Sequence, residues 1–213
     1  MIFSPEYTFY AKAFIGLLAI VNPLGAIPIF LSLCAERTVI ESKQVARTSA
    51  LSVALILITA TWIGDSVLVF FGIGIPAFRA GGGLLILLMA IAMMHTKQSH
   101  EQKILEEMDE AKYKENIAVV PIAIPLMAGP GAISLLIVYA QLVESWGNRL
   151  ILTTGVIVVS ICVWLALNLA VPIGKKLGAT GLNIVTRIMG LLLSAIGIQM
   201  FTSGLVKLLP GLG

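Results

Sequence analysis

Two short stretches carry the residues whose types and spacing point to chemistry. The first is Asn22-Pro23-Leu24-Gly25-Ala26-Ile27-Pro28, near the middle of an apolar run over about residues 7–33. The second is Pro125-Leu126-Met127-Ala128-Gly129-Pro130-Gly131-Ala132-Ile133-Ser134, at the centre of a run over about 117–143. Each run is long enough to cross a bilayer, which takes roughly 20 apolar residues. Proline lacks an N–H and clashes with the preceding turn, and glycine accepts unusual backbone angles, so a helix should break in both places. Broken backbone at membrane depth is tolerated only where it is buried in protein or lines a cavity. Gly25-Ala26-Ile27 recurs as Gly131-Ala132-Ile133, 106 positions on. Two interrupted helices at matching places in two halves point to a transporter binding site.

The chemistry of such a site follows from helix ends. Each break exposes the N-terminus of a second half-helix, with free N–H groups and about half a positive charge, and the C-terminus of a first half-helix, with free carbonyls. Two positive ends near Gly25 and Gly131 suit a carboxylate. Carbonyls around residues 19–21 and 126–128 suit an ammonium group. No ionised side chain lies between Ala13 and Ala35 or between Ile117 and Val143, so a substrate with net charge would find no counter-charge there. A small neutral zwitterion needs none. The candidate substrate-binding set is Asn22, Pro23, Leu24, Gly25, Ala26, Met127, Ala128, Gly129, Pro130, Gly131 and Ser134, with Pro28 and Pro125 as structural residues. Asn22 either bonds substrate or holds the unwound backbone, or is simply a helix cap. Ser134 has the alternative of bonding back to its own helix.

The elements that position these residues are membrane spans. The 213-residue chain is 58% hydrophobic and 12% charged, with a mean hydropathy of +1.00, whereas a soluble domain is nearer 25% charged. Its net charge of +3 is small, and the basic residues lie between apolar runs, so they read as topology signals and not as a nucleic-acid surface. The first apolar run lacks a basic lead-in and is too long for a signal peptide, so it is expected to remain as a span. Six spans are expected: about 7–33, 48–71, 77–94, 117–143, 150–171 and 183–208, with Pro172 and Gly174 ending the fifth. A polar link holding Glu36, Arg37, Glu41, Lys43 and Arg47 joins the first two. Residues 95–116, with four basic and six acidic side chains, form a solvated linker.

The repeat extends beyond the breaks. Arg79 and Gly82 at the start of the third span match Arg187 and Gly190 at the start of the sixth, 108 positions on. The expected architecture is a single all-α transmembrane domain over 1–213, with repeat one at about 7–94 and repeat two at about 117–209. Three spans is an odd number, so the repeats are inverted. One face carries Lys12, Arg79, Arg149 and Lys207; the other carries ten basic residues and should be cytoplasmic, which puts both termini outside.

Asp65 is the one acid inside an apolar run, roughly 9 Å from the centre of its helix at 1.5 Å per residue. Ionisable groups at depth commonly relay protons or bind ions, which makes Asp65 the coupling candidate. Its alternative is an interfacial acid paired with Arg79. Arg79 and Arg187 read as structural anchors. Trp62, Trp146 and Trp164 read as packing or interfacial anchors, and Cys34 and Cys162 as small core residues. His95 and His100 have no partners at metal spacing, so no metal or cofactor is expected. The spans hold no histidine and one acid, which leaves an intramembrane enzyme without a nucleophile–base pair. An exporter of other small solutes and a channel remain as alternatives to a carrier.

The motifs Asn22-Pro23-Leu24-Gly25-Ala26-Ile27-Pro28, Pro125-Leu126-Met127-Ala128-Gly129-Pro130-Gly131 and Arg187-Ile188-Met189-Gly190 resemble those of the MarC family, also called the neutral amino acid transporter (NAAT) family, of the LysE-type superfamily. The resemblance covers nearly the whole chain. Its motif positions map onto Asn22, Pro23, Gly25, Pro28, Pro125, Gly129, Pro130 and Gly131. It implies a multi-pass inner-membrane protein of bacteria or archaea that moves glycine- or alanine-type substrates, coupled to protons or another cation such as sodium. A homo-oligomer is compatible with it.

Overall fold

The structure is a computed structural model that describes residues 5–94, 127–143, 145–209 and 211. Seven helices lie among them: α1 (Pro5–Val21), α2 (Ile27–Leu33), α3 (Val39–Phe70), α4 (Ile75–Met94), α5 (Pro130–Gln141), α6 (Trp146–Asn168) and α7 (Ala170–Leu208). Four stretches are long and apolar enough to cross a membrane, namely Val39–Phe70, Ile75–Met94, Trp146–Asn168 and Thr180–Leu208; the apolar Thr8–Val21 and Pro130–Gln141 are shorter. The first break falls where it is expected, since α1 stops at Val21 and α2 resumes at Ile27. At the second, α5 starts at Pro130 after an extended Gly129 N-cap. Proline suits that first position because the N–H it lacks would be unpaired there. The linker 95–116, the first part of the fourth expected span and Pro125 lie outside the described residues.

Three boundaries differ from the sequence expectation, each for a local reason. The polar link after the first span is largely helical. Thr38 caps α3 through a reciprocal box: Glu41 N–H donates to Thr38 Oγ1 at 3.3 Å, and Thr38 N–H donates to Glu41 Oε2 at 2.7 Å. Two helix-end donors are satisfied at once, so α3 begins at Val39 and runs for 32 residues. At the fifth span, α6 ends at Asn168, before Pro172. Pro172 instead sits in the first turn of α7, where proline does no harm. Finally, α7 is kinked at Gly178, whose φ of 62° lies in the left-handed region that glycine adopts freely.

Helices α4 and α7 form an antiparallel pair at backbone distance. Gly204 lies against Pro76 and Ala80, Gly197 against Gly83 and Leu87, and Gly190 against Ala90 and Met94. A Cβ on Gly204 would stand 2.6 Å from the Ala80 nitrogen, and one on Gly197 would stand 2.8 Å from the Leu87 nitrogen. Glycines at seven-residue spacing keep one face of α7 free of side chains, and this close approach is how helices gain dispersion energy where lipid supplies no hydrophobic drive. Apolar side chains also cover the outside, with Leu55, Val69 and Leu191 all exposed, as a surface facing lipid requires. The core gathers the ends of the broken helices: Ile20, Val21, Ala26, Ile27, Met127, Ala128 and Ala132 are all buried in one cluster.

Candidate functional site

The first break is held by its own asparagine. Asn22 has a φ of 45°, a left-handed conformation that asparagine tolerates better than most residues. Its N–H continues the helix to Leu18 O at 3.0 Å, and its side-chain Oδ1 accepts from Gly25 N–H at 3.2 Å. Ala26 N–H donates to Asn22 O and Ile27 N–H to Leu24 O, while Pro28 has no N–H to offer. The Gly25, Ala26 and Ile27 N–H groups are thus paired within the loop. Gly25 is required by the same contact, because a Cβ there would run into the Asn22 carboxamide. Pro23 and Ala26 are buried, Asn22, Gly25 and Pro28 half-buried, and Leu24 exposed.

The second break is held differently. Gly129, Gly131 and Ser134 are buried together with Met127 and Ala128, and Pro130 is exposed. Ile133 N–H donates to Gly129 O at 3.2 Å. The N–H groups of Gly131 and Ala132 meet no acceptor among the described residues. The position corresponding to Asn22 in the repeat is Ala128, which has no carboxamide to cap them. Gly131 is also where the breaks meet. A Cβ on it would stand 2.9 Å from Ile86 Cγ1 on α4, 3.5 Å from Ile20 Cγ2 at the end of α1 and 3.5 Å from Met89 Sδ. One turn on, Ser134 rests on Gly82, where a Cβ would approach Ser134 Oγ to 2.9 Å.

Two clefts lie near opposite ends of α6. One, of about 110 Å³, is lined by residues including Tyr10, Phe14, Leu17, Leu136 and Gly155. The other, of about 300 Å³, is lined by residues including Phe30, Leu31, Cys34, Lys43 and Asn168. Neither reaches Asn22, Gly25 or Gly131.

Asp65 lies at the first end, and its partner is not Arg79. Arg149 Nη2 donates to Asp65 Oδ2 at 2.9 Å, across the side-by-side α3 and α6, with both side chains about a quarter exposed. Trp62 Nε1 donates to Thr153 Oγ1 at 3.0 Å, and the Trp62 and Trp146 rings lie 5.3 Å apart, so the pair sits in a tied-down patch. Asp65 Oδ1 and Arg79 Nε are buried with no hydrogen-bond partner among the described residues. Arg187 is exposed on α7. Sequence reasoning missed Arg149, Ile86 and Met89. Arg149 was detectable, since it starts one outer helix end while Asp65 finishes the adjoining one. Ile86 and Met89 had no signal beyond an apolar run.

Long helices with apolar outer faces, packed around the buried ends of shorter ones, define a multi-pass all-α integral membrane protein. Over residues 7–209 the sequence matches the family described as MarC family integral membrane protein. The chain belongs to that family. It is 39% identical to the UPF0056 membrane protein YhcE of Escherichia coli (strain K12), over 97% of this chain and 96% of that one. It is 34% identical to the UPF0056 membrane protein YvbG of Bacillus subtilis (strain 168), over 96% and 97% of the two chains. A UPF0056 membrane protein of the archaeon Methanocaldococcus jannaschii is 33% identical over 94% of this chain and 97% of its own. These names describe membrane proteins and specify no substrate. No solved structure matches the chain.

Proposed function

We propose that this protein is a secondary active transporter of small neutral amino acids, of the glycine and alanine type, driven by a proton or sodium gradient. In this reading six spans form two inverted three-helix repeats in the inner membrane, and access to a midplane site alternates between its two faces. The observation that carries it is the meeting of the two breaks, since a Cβ on Gly131 would stand 3.5 Å from Ile20 Cγ2 at the end of α1.

The breaks also suggest how a zwitterion would be held. Gly131 and Ala132 have N–H groups with no acceptor among the described residues, at the positive end of a 12-residue helix. They are candidate carboxylate donors, since a helix N-terminus with free N–H groups favours an anion. The lack of ionised side chains between Ala13 and Ala35 and between Ile117 and Val143 fits a ligand with no net charge. Asp65 is the coupling candidate, with Arg149 as its counter-charge in this conformation.

The test is uptake of labelled amino acids by reconstituted protein under imposed proton and sodium gradients. Saturable glycine and alanine uptake with counterflow is the expected result. Uptake that does not saturate would indicate a channel, and a screen positive only for charged or bulky solutes would remove the amino-acid assignment.

A further inference from the structure

The larger cleft has a property that transport of a neutral solute does not need: its depth is apolar and its rim is basic. Phe30, Leu31 and Leu167 form the floor, and Arg37 and Lys43 stand at the mouth with Ser42. Its volume of about 300 Å³ is at the lower end of ligand-sized pockets. Neither Glu36 nor Glu41 lines it, and the Glu41 carboxylate already accepts from Thr38 N–H and Thr38 Oγ1 at 2.7 and 2.8 Å. Gly174 packs on the far wall, where a Cβ would stand 2.9 Å from Leu31 Cδ1. The exposed Lys175 and Lys176 directly follow it and add positive charge on that side.

Position and surroundings identify the occupant. The 32 residues of α3 span about 48 Å at 1.5 Å per residue, well over the roughly 30 Å of a hydrocarbon core. The excess lies at the N-terminal end, where Glu41, Lys43 and Arg47 stand and where the chain enters the interfacial layer. Beside the cleft, Val39 and Ile40 are 72% and 80% exposed and Val171 is 53% exposed. A free anion would need only the basic rim. A phospholipid needs the rim for its phosphate and the apolar floor and flanks for its acyl chains, and both are present in one cleft. We propose that this cleft between α2, α3 and the α6–α7 junction is a binding site for an anionic phospholipid, with Arg37 and Lys43 holding the headgroup. The assignment stands apart from whatever solute the breaks carry.

Native mass spectrometry of the detergent-purified protein, titrated with phosphatidylglycerol and with phosphatidylcholine, tests it. Phosphatidylglycerol should be retained preferentially. The double variant Arg37→Gln/Lys43→Gln should lower that affinity about thirtyfold, from the roughly fivefold that each basic residue contributes near an anionic surface. Phosphatidylcholine binding should be unchanged. Val171→Trp, which keeps every charge but fills the apolar side, should lower phosphatidylglycerol binding as well. Lys12→Gln, an exposed basic residue on α1, should have no effect. The proposal is overturned if the double variant or Val171→Trp binds phosphatidylglycerol within twofold of wild type, or if Lys12→Gln loses as much. It is also overturned if inorganic phosphate displaces the lipid at equal concentration, since the site would then recognise a free anion.

Discussion

Replacing Gly131 by alanine places a methyl group where the two breaks touch. The new Cβ would stand 2.9 Å from Ile86 Cγ1, with Ile20 Cγ2 and Met89 Sδ both at 3.5 Å. Ile86 is fully buried, and Cγ1 is the inner carbon of its side chain, so relief requires a shift of α4 or a changed rotamer. Overpacking of this kind costs about 1–3 kcal/mol. That is roughly a 5- to 150-fold shift against any state that keeps Ile20, Ile86 and Gly131 together. The same methyl group narrows the approach to the Gly131 and Ala132 N–H groups. We expect glycine and alanine uptake in proteoliposomes to fall at least about tenfold in Gly131→Ala, and further in Gly131→Val, with the protein still monodisperse. A double-mutant cycle separates this clash from a general loss of packing. Ile86→Ala alone should cost about 2–5 kcal/mol of stability, but combined with Gly131→Ala it should cost less than the two added together, because it removes the atom that the methyl group meets. A well-folded Gly131→Val protein with wild-type glycine affinity, or a strictly additive cycle, would refute the reasoning.

Asn22→Ala should lose a hydrogen bond worth about 0.5–1.5 kcal/mol and leave a left-handed residue that costs alanine about 1–2 kcal/mol; thermal unfolding should report a loss of about 2 kcal/mol, and an unchanged Tm would mean the loop is held by other means. Asp65→Asn should weaken the largely buried tie to Arg149 by about 1–2 kcal/mol and uncouple uptake from the driving gradient while leaving exchange intact; unaltered gradient-driven accumulation would reduce Asp65 to a structural role. Gly204→Val should force α4 and α7 apart, since its Cβ would stand 2.6 Å from the Ala80 nitrogen, and gel filtration should show aggregation; a monodisperse variant of wild-type Tm would contradict that packing. On a background lacking Cys34 and Cys162, a cysteine at Ser4 should react with an impermeant reagent in intact cells and one at Ser99 should not, and the reverse pattern would invert the proposed orientation.

How much of this was legible in the sequence depends on whether a signal was local. The first break was readable because Pro23, Gly25 and Pro28 disrupt helix geometry wherever they stand, and α1 and α2 end and begin beside them. The start of α5 was readable for the same reason at Gly129-Pro130. The helical character of the link after α2 was missed because charge density was allowed to outweigh a capping pair, Thr38 and Glu41, at the spacing that starts helices. Pro172 reads equally as a helix stop or as a first-turn residue, and only the chain's actual direction at Leu169 decides between the two. The Asp65–Arg149 pair joins residues 84 positions apart, and Ile86 reaches Gly131 only because α4 packs on α5. The ion pair is legible only from the placement of the two charges at neighbouring helix ends, and the Ile86 contact leaves no mark on the stretch of chain around it.

The two breaks look alike in sequence and are unlike in structure, and one residue accounts for the difference. Counting by the shared Gly-Ala-Ile tripeptide, Asn22 corresponds to Ala128. The carboxamide of Asn22 turns back onto Gly25 N–H at 3.2 Å, which ties the loop to its own backbone. Ala128 cannot do this, and the Gly131 and Ala132 N–H groups meet no acceptor among the described residues. In the proposed function a carboxylate would accept from them, and a buried donor without an acceptor costs about 1–3 kcal/mol. In the proposed transporter the two breaks would therefore not be equivalent half-sites. The second would take the carboxylate of the ligand, and the first would be the segment that Asn22 ties to its own backbone. A carrier needs both properties in one site: a donor pair that gains from binding, and a neighbouring segment whose internal bonds must be exchanged before the site can open to the other side.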